Sequence, residues 1–137
     1  MEYAAIDSSV LVAILNEEET SAHFGTALIN LKRHIGRPTI FETRIWCIRK
    51  LGNASQPWLE DLLKQPGTQL ADFDASLEAQ ATDAYARFGK GRHPAALNFG
   101  DCMAYAVAKH HDVPLLFKGA DFGKTDVKIH PASIMED

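Results

Sequence analysis

A chain of 137 residues is long enough for one domain with a real core, and its 46% hydrophobic and 23% charged residues are those of an ordinary globular protein. A formal net charge of −4 argues mildly against coating nucleic acid by bulk electrostatics but does not exclude a nucleic-acid enzyme, which can gather carboxylates around a metal. No apolar run approaches the roughly 20 residues that span a bilayer, and Met1-Glu2-Tyr3 lacks the flank of a signal peptide, so a cytoplasmic protein with no membrane partner is expected.

In chain order, Tyr3-Ala4-Ala5-Ile6 reads as a short buried strand that delivers Asp7 at its C-terminal end. Ser8 and Ser9 supply capping hydroxyls for a helix carrying Val10, Leu11, Ile14 and Leu15. A second helix fits Thr20 to Lys32, where Phe24, Leu28 and Leu31 share a face, and Gly36-Arg37-Pro38 breaks the pattern. Thr39 is the expected cap of a third helix that holds Glu42 in its first turns and runs to Gly52. Pro57 starts a fourth, closed by Pro66-Gly67. Thr68-Gln69-Leu70-Ala71 is a strand candidate, and Asp74 caps a periodic helix that places Leu77, Ala81, Ala84 and Phe88 on one face. After a basic loop, Lys90-Gly91-Arg92-His93-Pro94, either Asn98 or Asp101 opens a helix ending near His110-His111. Pro114 to Phe117 reads as a strand followed by Asp121, and Val127-Lys128-Ile129 as a last edge strand. Cys47 and Cys102 fall in helical patterns and read as buried thiols, with no disulfide implied.

Strands alternating with helices point to an α/β fold with a mainly parallel sheet and a ligand site outside the carboxyl ends of the strands. Asp7 and Asp121 each follow a strand there. Taken singly, Asp7, Glu42, Asp101 and Asp121 are explained as caps or turn formers. Together at one sheet edge they would repel one another, and a hard divalent cation with oxygen ligands relieves that repulsion. Such an ion suits phosphodiester hydrolysis. The acidic pairs Glu18-Glu19 and Glu60-Asp61 read instead as solvated helix faces.

These residues carry a resemblance. Ala5-Ile6-Asp7-Ser8-Ser9-Val10-Leu11 resembles the opening signature of PIN-domain ribonucleases, and Pro38-Thr39-Ile40-Phe41-Glu42 is similar to the stretch bearing that family's glutamate. His93 to Cys102, with Asn98-Phe99-Gly100-Asp101 inside it, and Pro114 to Phe122 resemble segments of VapC-type toxins, all in the expected order. The resemblance implies a single PIN domain over residues 1–137, with a mainly parallel central sheet flanked by helices and an acidic pocket at the strand ends. Carried over by position, Asp7 and Asp101 match the principal metal ligands, Glu42 the third acid and Asp121 the fourth. It further implies the toxin of a type II toxin–antitoxin system. Such a toxin is an endoribonuclease using Mg²⁺, with Mn²⁺ able to substitute. Its expected partners are an RNA substrate, a cognate VapB-type antitoxin that can insert an arginine among the carboxylates, and a second copy in a homodimer.

The sequence departs from that pattern at Lys118, where many relatives carry Ser or Thr. This lysine would hold an RNA phosphate or pair with a pocket carboxylate, and the first reading is preferred. Lys90, Arg92, His93 and Lys124 are the other candidate RNA contacts. Trp46 and Trp58 have helical spacing that suggests core or partner-facing positions rather than base stacking, and His110 and His111 have no expected catalytic role. Two rival functions stand against the nuclease. A phosphatase of the haloacid dehalogenase type needs a second Asp two residues after the first, where this chain has Ser9. A PIN-like module that binds antitoxin or RNA without cutting is disfavoured by the presence of all four acids.

Overall fold

The structure, a computed structural model, describes residues 2–136. Strands β1 (Tyr3–Ile6), β2 (Lys32–Gly36), β3 (Thr68–Ala71) and β4 (Leu115–Leu116) form a parallel sheet in the order β3-β2-β1-β4. Helices α1 (Ser8–Leu15), α2 (Ser21–Ile29), α3 (Arg37–Leu51), α4 (Pro57–Lys64), α5 (Ala75–Phe88) and α6 (Phe99–His111) connect and flank it. Beyond β4 a short parallel pair, β5 (Lys118–Gly119) with β6 (Ile134–Met135), extends the C-terminal region.

Two apolar layers sandwich the sheet. On one side Val10 and Leu11 of α1, Phe24 and Leu28 of α2, and Leu59 and Leu62 of α4 pack around Ala4, Ile6 and Ile35. On the other, Leu77, Ala84 and Phe88 of α5 meet Ala104, Tyr105 and Ala108 of α6 around Ala5 and Leu115. Adjacent residues of β1 thus face opposite layers, and both faces must be apolar. This is why the strand reads as a continuous hydrophobic run. Asp74 caps α5 by accepting from Leu77 N–H. Asn98 opens α6 in a reciprocal capping box with Asp101.

Three expectations are corrected. The helix expected to reach Lys32 ends at Ile29, and Lys32–Gly36 is a strand with four of its five residues buried. The third helix is not capped by Thr39. Gly36 is its N-cap and Pro38 stands in its first turn, where a missing N–H costs nothing, so Gly36-Arg37-Pro38 begins the helix. Val127-Lys128-Ile129 contributes only one bridge, Ile129 to Leu115, and the last strand is β6.

Candidate active site

The parallel strands all end on one side, and the helices that follow them begin there. Asp7 is the first residue beyond β1, and its backbone N–H donates to Leu116 O of β4 at 3.0 Å. It caps α1: its Oδ2 accepts from Ser9 N–H at 3.1 Å and from the Ser9 hydroxyl at 2.6 Å. The same hydroxyl oxygen accepts from Lys118 N–H at 3.0 Å. Ser9 therefore ties the carboxylate of β1 to the chain leaving β4, a role beyond the generic capping that its position suggested.

Asp101 is the third residue of α6, whose N-terminus points at the same end of the sheet. Its Oδ2 accepts from Asn98 N–H at 3.0 Å, while its own N–H donates to Asn98 Oδ1 at 2.8 Å. One carboxylate oxygen is thus held against the backbone and the other is left for a ligand. Glu42 lies in the second turn of α3 and reaches over Gly100. A Cβ at that glycine would fall on the Glu42 carboxylate. The absence of a side chain at Gly100 is what lets α3 bring its glutamate beside Asp101. Asp121 stands just before a single 3₁₀ turn, Phe122–Lys124.

Two of the four carboxylates, Asp7 and Asp101, are perturbed by their acidic neighbours. Asp7 is 5% exposed. Burial raises its pKa to about 7, against the hydrogen bonds from Ser9, and Asp101 and Glu42 push it further upward. Asp101 is raised to about 6, first by burial and then by Asp121 and Glu42, against the hydrogen bond from Asn98. The N-terminal dipoles of α1 and α6 point at these groups and favour their charged forms. Among the described residues, none of the four pairs with a cation. This is an electronegative cluster with no paired counter-charge among the described residues.

Its donors are all carboxylate oxygens, the set that hard divalent cations take. Among the described residues no group of three or more His, Cys, Asp or Glu side chains encloses a common point at metal-binding distance. Of the hard divalent ions, Mg²⁺ keeps several waters and asks for only one or two carboxylates from the protein.

Lys118 pairs with none of the four cluster carboxylates. Its Nζ meets Glu18 Oε1 at 2.6 Å, so the glutamate expected on a solvated face is its partner. Arg92 donates to Ala86 O of α5, tying the loop to that helix, and His93 Nδ1 accepts from the nearby Ala95 N–H. Lys90 and Lys124 are exposed. Trp58 packs on the α1–α2–α4 layer, whereas Trp46 is half-buried beside Glu42 in an open groove.

Comparison with known proteins settles the lineage of this arrangement. The profile of the PIN domain family matches residues 4–128. The chain belongs to the PIN-domain family. Within it the chain is 40% identical over 123 residues to "Ribonuclease VapC" of Mycolicibacterium smegmatis, covering 89% of this chain and 95% of that one. Among solved structures, this PIN domain is similar to Mycobacterium tuberculosis VapC20, described as a sarcin-ricin loop cleaving toxin. The TM-score is 0.75 at 16% identity over 93% of this chain and 99% of that one. A toxin–antitoxin complex from Klebsiella pneumoniae gives a TM-score of 0.70 at 15% identity over 96% and 99%. These two likenesses concern the PIN fold.

Proposed function

We infer that this PIN domain is a toxin endoribonuclease of the VapC kind, hydrolysing RNA phosphodiester bonds at the cluster of Asp7, Glu42, Asp101 and Asp121. The observation that carries the reading is electrostatic: buried Asp7 and half-buried Asp101 lie within reach of each other's or of Glu42's and Asp121's charge, and among the described residues none of the four pairs with a cation. Folding such a cluster costs free energy unless a ligand repays it. In this reading Asp7 and Asp101 would be the principal residues holding a divalent ion, with help from Glu42 and Asp121, Mg²⁺ being the preferred occupant and Mn²⁺ a substitute. The chemistry an ion of this kind supplies is activation of water and neutralisation of charge on the phosphate. The chain's own part is to fix the carboxylates: Ser9 orients Asp7, Asn98 orients Asp101, and Gly100 admits Glu42.

The partner expected from the relatives is a small antitoxin of the VapB kind. An arginine entering the cluster would replace the metal's charge with a guanidinium held by carboxylates, a charge-assisted and geometrically favourable pairing. The whole chain is proposed to act as one PIN domain and to pair as a homodimer.

Cleavage of a structured RNA by the purified chain tests the reading. Scission is expected with Mg²⁺ or Mn²⁺, none in EDTA, and a loss of roughly a hundredfold or more in Asp7→Asn. Metal-independent cleavage, or an Asp7→Asn variant as active as the parent, contradicts it. RNA or antitoxin binding without metal-stimulated cleavage favours the non-cutting module.

A further inference from the structure

Helix α3 continues past Glu42 in a way the four-acid site does not use. Trp46 lies four residues beyond Glu42, and Arg49 and Lys50 three and four beyond Trp46, so the four side chains follow one face of the helix over about 12 Å. With Ile45 they line a groove of about 280 Å³ whose wall includes the Glu42 carboxyl group. Several cations are engaged elsewhere: Arg37 by Asp72, Lys118 by Glu18, Arg44 by Glu60, Arg87 and Lys109 by Asp126, and Lys128 by Asp112. Among the described residues neither Arg49 nor Lys50 forms an ion pair, and both are exposed. They share a cavity with a member of the acidic cluster.

We infer that this groove is an RNA subsite, in which single-stranded RNA flanking the cut stacks a base on Trp46 and sets its phosphates against Arg49 and Lys50. The inference rests on the nuclease reading above and adds to it where the strand leaves the site. A half-buried indole beside two unpaired cations is the combination that binds single-stranded nucleic acid without sequence preference. Such cations also offset the repulsion that an acidic centre imposes on a polyanion. The competing occupant is a second copy of the chain, since Phe41, Ile45, Ile48 and Leu51 of α3 are all exposed. An interface core is enriched in tryptophan and arginine but depleted of lysine, so it is Lys50 at the end of the groove that speaks for a polyanion rather than a second copy.

The test measures KM and kcat separately, with a fluorophore–quencher oligoribonucleotide in Mn²⁺ across a salt series, for the full chain and three variants. Arg49→Gln with Lys50→Gln is expected to raise KM about tenfold with kcat nearly unchanged. It should also flatten the slope of log(kcat/KM) against log[salt] by about 1.4, the loss of two single-strand phosphate contacts. Trp46→Ala is expected to raise KM by about tenfold or more with the salt slope intact, and Trp46→Phe to restore most of it. If the parent cleaves while the variants keep its KM and salt slope, the subsite is wrong and the nuclease reading stands. If the parent itself does not cleave, both fail. Sedimentation of the same samples decides the competing occupant: variants that dissociate a dimer, with their KM defect vanishing at protein concentrations that restore it, overturn the subsite.

Discussion

Asp7 is the residue on which the chemistry turns, and its environment makes a measurable demand. In the folded chain its pKa is raised to about 7 from 3.8, burial being the main cause. The native state therefore holds a proton that the unfolded chain releases between these values. Stability is favoured at low pH and falls as pH rises from about 4 through 7. Asp7→Asn removes the charge but keeps the cap, because asparagine caps as well as aspartate. In EDTA this variant is expected to gain roughly 2–4 kcal/mol over the parent at pH 8 and much less at pH 4, by denaturant unfolding. An equal effect at both pH values would show that the buried charge is not what costs the parent its stability. Gly100 makes the complementary point, since a methyl group there would displace Glu42. Gly100→Ala is expected to weaken Mn²⁺ binding by about 10- to 100-fold in a calorimetric titration, and unchanged affinity would remove Glu42 from the site.

Among the elements, β2 shows where sequence reading stopped and why. Lys32-Arg33-His34-Ile35-Gly36 has no apolar alternation, because its two central polar residues are buried by specific partners. Arg33 is 3% exposed and donates to Leu28 O, Leu31 O, Thr68 Oγ1 and Gln65 Oε1. His34, 7% exposed, lies between the rings of Tyr3 at 5.3 Å and His111 at 4.1 Å. Such satisfaction of buried polar groups depends on residues distant in sequence, which local periodicity does not register. By contrast β1, β3 and α5 were legible because apolar runs, turn residues and a capping aspartate lie within each segment. The four acids were legible as strand-end and helix-start residues, but Ser9's bridge, Gly100's clearance and the Lys118–Glu18 pair exist only through contacts across elements. The stacked histidines carry their own pH signature. His34 is held below its ordinary 6.5 by burial and by His111. The unfolded chain then takes up a proton the native state refuses, and stability is lost as pH falls below that value. His34→Phe should flatten this acid limb in thermal melts. A parent and variant with identical profiles below pH 6.5 would show the stack has no titratable cost.

At the scale of the whole molecule, the sheet sets the order of the parts. All its strands are parallel and end together, so a carboxylate after β1, one at the start of α6, one in the early turns of α3 and one beyond β5 gather from sequence positions 7 to 121 without any long loop. The same geometry aims two helix N-termini at the cluster, which tempers the repulsion without neutralising it. What the chain leaves undone a divalent ion would complete, and metal should stabilise the protein more at pH 8 than at pH 5, where Asp7 and Asp101 are largely protonated. The measurement that bears most directly on this is anomalous scattering from crystals grown in Mn²⁺. An ion is expected about 2.0–2.3 Å from an oxygen of Asp7 and an oxygen of Asp101. A map with no anomalous peak between these two carboxylates, at saturating Mn²⁺ and pH 8, would contradict the metal centre and the nuclease built on it.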